Sequence, residues 1–268
     1  RPSSPKPVRV AVLNKDDASC ARLQRLISGA QVATFGFGEG ADFRACGDAL
    51  TLEGATFRLS HAGRESAIRV RLIGRHNLRN ALGAAAAAWS LGLPEAGIIE
   101  GLAALKRVPG RLEPVEAGQG FSVFVDYAHT EDALVAVLDC LRSLTRGRIL
   151  TVFGCGGERD AGKRGPMGAA AAAGSDLAIA TSDNPRGEDP LEILRQIEEG
   201  IRLSKRENYR IVPDRQEAVF EAVRLAQPGD VVLIAGKGHE DAQILGARAV
   251  RFDDREVALT ALKDSGKC

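Results

Sequence analysis

Four consecutive residues, Asp183-Asn184-Pro185-Arg186, place an acid, an amide, a turn-setting proline and a guanidinium directly after the apolar run Leu177-Ala178-Ile179-Ala180. An anion and a cation side by side suit a zwitterion, and open α/β sheets bind ligands outside the carboxyl ends of their strands. Two other apolar runs end in the same manner. Val152-Phe153 leads into Gly154-Cys155-Gly156-Gly157-Glu158-Arg159, and Val232-Leu233-Ile234-Ala235 leads into Gly236-Lys237-Gly238-His239-Glu240. Three adjacent strand ends of this kind make one crevice.

The loop after Phe153 invites a nucleotide reading, and its details resist it. Gly157 to Lys163 satisfies the first seven positions of a phosphate loop, but Arg164 stands where a magnesium-binding Ser or Thr belongs. Gly154-x-Gly156 and Asp183 half-match a dinucleotide fingerprint, yet Arg159 replaces the third glycine, and Gly165-Pro166 is expected to delay the helix. What remains is a glycine-permitted loop exposing Arg159, Lys163 and Arg164, a clamp for carboxylate or phosphate or, more plainly, a solvated basic turn. Asp126-Tyr127-Ala128-His129-Thr130 ends another strand, and His76-Asn77-x-x-Asn80 opens an alanine-rich helix. Asn77 could equally be a helix cap and His129 an ordinary surface histidine. No spacing fits HExxH or another metal-ligand pattern.

The elements that must position these residues follow from periodicity. The first part reads as a strand at 8–13, a helix near 16–28, β segments at 48–53, 55–61 and 66–73, a helix from Asn77 to about Leu91, and a second helix from Leu93-Pro94-Glu95 through Leu105. Arg107-Val108-Pro109-Gly110-Arg111-Leu112 breaks the pattern, and a domain boundary at 110/111 is expected there. Strands at 121–126, 148–153, 176–181, 208–212 and 230–235 then alternate with helices at 131–144, 166–174, 190–203 and 214–226, followed by a ribbon at 243–252 and a helix at 254–263. Such alternation predicts an α/β fold with a mostly parallel, six-stranded, Rossmann-like sheet covered on both faces. Thr130 should cap helix 131–144, whose Leu134, Val137, Leu141 and Leu144 share one face.

Composition narrows the function classes. With 268 residues, 44% hydrophobic and 26% charged, the chain can build two modest cores, and a net charge of +1 offers no electrostatic case for nucleic acid or membrane partners. Five scattered cysteines without a CxxC pair argue against a disulfide framework or zinc site and for a reduced cytoplasm. No stretch approaches the roughly 20 apolar residues of a membrane span. The chain opens at Arg1 with a proline-rich run into its first strand, as a piece of something longer would.

Together these pieces resemble the Mur ligases, which add amino acids to the peptidoglycan precursor, and within that family most closely the branch that adds meso-diaminopimelate. The residues carrying the resemblance are Val12-Leu13-Asn14-x-Asp16-Asp17, Gly74-Arg75-His76-Asn77-Leu78-x-Asn80, Pro109-Gly110-Arg111-Leu112-Glu113, Asp126 to Thr130, Phe153 to Arg164, Asp183 to Arg186, and Gly236 to Asp241. The resemblance implies that 1–110 is the latter part of a central ATP-binding domain and 111–268 a C-terminal domain binding the incoming amino acid. It implies ATP and Mg2+ as cofactors, and UDP-MurNAc-L-Ala-D-Glu as the acceptor whose carboxylate becomes an acyl phosphate attacked by the amine.

By the same resemblance, Arg159, Asp183, Asn184, Pro185, Arg186, Gly236 and Glu240 form the diaminopimelate site. Asn184, Arg186 and Arg159 would hold the distal carboxylate, and Gly236 carbonyl and Glu240 the distal ammonium. His76, Asn77, Asn80, Arg111, Asp126 and His129 would serve ATP. The family's phosphate loop, magnesium-binding glutamate and carbamylated lysine have no counterpart in these 268 residues, so the chain alone is expected to be inactive. Another amino-acid ligase of the family (lysine-adding, folylpolyglutamate or cyanophycin type), a dinucleotide-dependent oxidoreductase and a non-catalytic amino-acid-binding module are the competing readings.

Overall fold

The structure, a computed structural model, describes residues 9–267; the proline-rich opening, the Val8 start of the first expected strand, and Cys268 lie outside the described residues. The chain divides between Lys106 and Arg107 into two compact units.

The first unit is built on strands β1 (Val10–Asn14), β2 (Gln31–Gly36), β3 (Phe43–Thr51), β4 (Gly54–His61) and β5 (Arg64–Val70), in that spatial order. β1, β2 and β3 run parallel, and β3, β4 and β5 form an antiparallel meander. Strand β2 and the first half of β3 escaped the sequence reading; the glycine- and acid-rich stretch from Phe37 to Asp42 that separates them reads as loop. Helix α1 covers only Cys20–Leu26. The expected start at Asp16 fails because its carboxylate instead accepts from the Phe37 and Gly38 amides. Helix α2 (Arg75–Ser90) begins two residues before Asn77, with Gly74 as its N-cap, and α3 spans Glu95–Ala104. Leu78, Ala81, Leu82, Ala85 and Ala86, spaced three and four apart, pack with Phe43, Phe57, Leu59, Ile68 and Val70 in the core of this unit.

In the second unit, strands β6 (Glu113–Pro114), β7 (Ser122–Asp126), β8 (Ile149–Phe153), β9 (Leu177–Ala180), β10 (Tyr209–Ile211) and β11 (Val231–Ala235) form a sheet in the order β10-β9-β8-β11-β7-β6. All neighbours are parallel except β6, which pairs antiparallel with β7. The sixth strand therefore comes from the stretch just after the break in periodicity, where two residues are too few to show a pattern. The ribbon β12 (Ala242–Leu245) and β13 (Arg248–Arg251) forms its own antiparallel pair.

Helices α4 (Glu131–Leu144), α5 (Arg164–Gly174), α6 (Pro190–Leu203), α7 (Arg215–Leu225) and α8 (Asp254–Asp264) follow their strands. Thr130 caps α4 by accepting from the Ala133 amide, while Asp189, Asp214 and Asp253 cap α6, α7 and α8. Every residue of β8 and β11 is buried. Leu150, Val152, Val232 and Ile234 share a core with Val219, Val223, Ala258 and Leu262 of α7 and α8, so alternate residues of the same strands must face the other side. Helix α5 starts at Arg164 rather than 166, preceded by a 3-10 turn at Ala161–Lys163. Pro166 does not delay it, because a residue in the first helical turn has no intrahelical use for an amide hydrogen.

Candidate functional site

Strand β8 lies between β9 and β11, so the loops that follow the three strands leave the sheet side by side. Glycines let the first two close on one another. The Gly157 amide donates to Asn184 carbonyl at 2.9 Å, and a Cβ on Gly156 would stand 2.9 Å from Arg186 Nη1 and 3.9 Å from Arg159 Cγ. A side chain at 156 would push the Arg186 guanidinium from its present place while leaving Arg159 in ordinary contact. Across the crevice, Gly236 takes φ +115°, and its missing Cβ would lie 2.9 Å from Asp183 Oδ2. A side chain there would face both backbone strain and a carboxylate.

The ribbon β12–β13 fastens the 183–186 loop from outside. Arg186 donates its amide to Ile244 carbonyl at 3.0 Å and accepts from Gly246 at 2.7 Å, while Gln243 Nε2 donates to Asp183 carbonyl at 2.8 Å. Those bonds hold Arg186 at φ +53°, a left-handed conformation that costs a non-glycine residue about 1–3 kcal/mol. Arg186 Nη1 donates to the carbonyls of Gly157 at 2.7 Å and Asn184 at 3.4 Å. Its Nε and Nη2, an edge that can grip a carboxylate with two parallel bonds, have no acceptor among the described residues. Arg159 is exposed and, among the described residues, donates only to Glu158 carbonyl, at 3.0 Å.

The floor of the crevice is ionic. Asn184 Nδ2 donates to Glu240 Oε2 at 2.8 Å, and its Oδ1 accepts from Lys237 Nζ at 3.0 Å and the Ile244 amide at 2.9 Å. Lys237 also reaches Glu240 Oε2, at 3.3 Å. Deeper, Arg215 grips Asp254 through Nε–Oδ1 and Nη2–Oδ2 at 2.8 and 2.7 Å, and neither side chain is exposed at all. Burial opposes the charge on Arg215, but the carboxylates of Asp254, Asp183 and Glu240 hold its pKa above the ordinary arginine value. Around Asn184 the arrangement thus combines a guanidinium with unused donors and a carboxylate whose Oε1 receives no donor among the described residues. It can accept a ligand bearing both an anionic and a cationic group.

One expected member of the clamp does not belong to it. Arg164 is buried, donating to Glu188 Oε2 at 2.8 Å and Gln196 Oε1 at 2.9 Å, because α5 starts early enough to turn it toward α6. Glu188 also accepts from the Glu158 amide, and that bond together with Arg164 holds its carboxyl below the usual carboxylate range. Lys163 Nζ donates to His129 carbonyl at 2.7 Å. The near match to a phosphate loop thus puts its lysine on a neighbouring loop. Burial pushes the Cys155 thiol up to about 12, which makes it a poor nucleophile at neutral pH. Sequence reasoning missed Lys237, Arg215 and Glu188; the fully apolar approach of β11 to Lys237 was the available sign that its side chain would be buried.

The remaining candidates are divided between the units. In the first, His76 and Asn80 are exposed at the start of α2, while buried Asn77 donates to Ile73 carbonyl at 2.9 Å rather than capping the helix. In the second, Asp126 is buried and accepts from the Leu112 and Ala128 amides, both at 2.8 Å. Arg111 lies over the Tyr127 ring at 5.6 Å, with His129 and His239 ring centroids 4.6 and 5.2 Å from that of Tyr127. Among the described residues there is no group of three or more His, Cys, Asp or Glu able to hold a metal ion, and no helix long and apolar enough to cross a membrane.

Comparison with known proteins agrees with this architecture. A family model described as Mur ligase, glutamate ligase domain, matches residues 110–238, and one described as Mur ligase middle domain matches 3–88. The UDP-N-acetylmuramoyl-L-alanyl-D-glutamate-2,6-diaminopimelate ligase of Geobacillus kaustophilus is 43% identical over 258 residues, covering 96% of this chain and 52% of its own length. Its namesake from Solibacter usitatus is 44% identical over 260 residues, with 97% and 52% covered. A solved structure of a ligase of that name superposes with a TM-score of 0.70 at 35% identity, covering 96% of this chain and 53% of the other. Mycobacterium tuberculosis folylpolyglutamate synthase shares the fold, with a TM-score of 0.67 at 20% identity over 99% of this chain and 57% of its own. The chain spans about half the length of the curated relatives it matches. On the two family matches, and on identities above 40% across nearly its whole length, the chain belongs to the Mur ligase family.

Proposed function

We propose that this chain is the part of an ATP-dependent amide-bond ligase that binds the incoming amino acid, and that the complete enzyme adds meso-diaminopimelate to UDP-MurNAc-L-Ala-D-Glu through an acyl phosphate in the cytoplasm. The observation that carries the reading is that Arg186, whose Nε/Nη2 edge is unused among the described residues, and Glu240, whose Oε1 is open among them, are both tied to Asn184, one through its carbonyl and the other through its Nδ2. Meso-diaminopimelate ends distally in a carboxylate and an ammonium, which answer those two groups. In this reading Arg159, on the neighbouring loop, adds a second guanidinium, and Asp183, Asn184, Pro185 and Gly236 shape the pocket. L-Lysine has the ammonium without the carboxylate and would leave the Arg186 edge without a partner, a cost that selects against it.

In this reading residues 1–110 form the latter part of the central ATP-binding domain and 111–268 the C-terminal domain. His76, Asn77, Asn80, Arg111, Asp126 and His129 serve ATP, with Asp126 acting through the backbone amides it already holds. The described residues do not fit a magnesium site, so no step is assigned to that ion here. The sequence contains no complete phosphate loop, and the 268-residue chain by itself is accordingly inactive in ATP turnover and ligation. The test is phosphate release by the complete protein carrying this chain. Release that requires ATP, UDP-MurNAc-L-Ala-D-Glu and meso-diaminopimelate together supports the reading. Equal release with L-lysine, or none with meso-diaminopimelate, contradicts it.

A further inference from the structure

A buried ammonium is costly unless its charge is matched and its donors are used. Lys237 has no exposed surface, and the two acceptors of its Nζ, Asn184 Oδ1 at 3.0 Å and Glu240 Oε2 at 3.3 Å, both belong to residues that line the crevice. The Ile244 amide donates to the same Asn184 oxygen at 2.9 Å. Two donors converging on Oδ1 leave the amide a single orientation, with Nδ2 turned to Glu240 Oε2 at 2.8 Å. Glu240 in turn receives both of its donors on Oε2, so Oε1 is the oxygen left for a ligand. One buried cation thus settles which way an amide faces and which oxygen of a carboxylate is open. A lysine serving only the core would be matched by groups with no other outlet, as Arg215 is by Asp254.

We propose that Lys237 is a positioning residue: from the buried side it orients Asn184 and Glu240, and so sets how tightly and how selectively the distal end of the incoming amino acid is held, without touching it. The inference rests on the crevice being the amino-acid site.

The experiment is steady-state kinetics on the complete enzyme with meso-diaminopimelate, L-lysine and ATP varied in turn. Lys237→Met should raise the KM for meso-diaminopimelate roughly 10- to 100-fold, the range expected for losing charge-assisted hydrogen bonds, while the KM for ATP stays unchanged. A merely structural lysine would lower thermal stability and leave that split absent. Since Lys237→Met strands Glu240 beside an uncharged neighbour, the same comparison is made in a Glu240→Gln background, so that the double variant carries neither charge. There Lys237→Met should raise the meso-diaminopimelate KM by clearly less than it does in otherwise unaltered enzyme, because one of the two groups through which Lys237 acts is already altered. Full additivity of the two substitutions, or an unchanged meso-diaminopimelate KM in Lys237→Met, overturns the positioning role. A wild-type enzyme that makes no use of meso-diaminopimelate takes down the functional reading as well, so the two failures are distinguishable.

Discussion

Two buried asparagines show how differently the molecule holds its candidate site residues. Asn184, in the crevice, is tied by its side chain to Lys237, Glu240 and Ile244, residues 53 to 60 positions away. Asn77, in the first turn of α2, has its side chain tied to Ile73 four residues back, with only a long 3.5 Å bond from Asn80 besides among the described residues. The first orientation is a product of the tertiary fold; the second is local to one helix end. The crevice should therefore fail cooperatively when one of its distant supports is removed, whereas the helix end should absorb damage.

The largest effect is expected beneath the crevice. Arg215→Leu leaves Asp254 as an uncompensated buried charge and should destabilise the chain by about 3–5 kcal/mol in denaturant unfolding, because breaking a buried pair costs more than the pair contributes. Retention of full stability would show that the ionic floor is not what supports the loops. Next comes the direct contrast: Asn184→Ala leaves the Ile244 amide without its acceptor and Lys237 with Glu240 alone, at a cost of about 1–3 kcal/mol. Asn77→Ala loses one hydrogen bond and gains helix propensity, so its net cost should stay below about 1 kcal/mol. Equal costs would erase the distinction between long-range and local support.

A smaller effect concerns acid. Glu188 has its carboxyl held below the ordinary 4.5 by the Glu158 amide and by Arg164. A carboxyl with a depressed folded-state pKa stabilises fully above its unfolded value, and that contribution fades as pH falls through the folded one. The stability of the unaltered chain should therefore decline on acidification from near 4.5 downward, and Glu188→Gln should flatten that limb of the unfolding curve. A parallel acid limb in the variant would count against the Glu188–Arg164 tie.

Much of this organisation was legible in the sequence because it rests on short-range rules. The alternation of apolar runs with capped helices gave the parallel sheet, and the polar strand ends gave the loops around Arg159, Arg186 and Glu240. What stayed hidden depends on distant partners. Arg164 looks like a surface cation until Glu188 and Gln196 are brought to it across α6, and Lys237 looks like a loop lysine until Asn184 and Glu240 close over it. The two-residue strand β6 is recognisable only by pairing with β7, and the role of the β12–β13 ribbon in fixing Arg186 is a matter of backbone bonds that no side-chain pattern records.

The central claim is that the crevice reads both charges at the far end of the incoming amino acid, and the most direct measurement is substrate preference in the complete enzyme before and after Arg186→Ala. Unaltered enzyme should favour meso-diaminopimelate over L-lysine, and removing the Arg186 fork should forfeit about 1.5–3 kcal/mol of that preference, seen as a fall in kcat/KM for meso-diaminopimelate with the ATP KM unchanged. A preference that survives Arg186→Ala intact would place recognition of the distal carboxylate elsewhere and contradict the account.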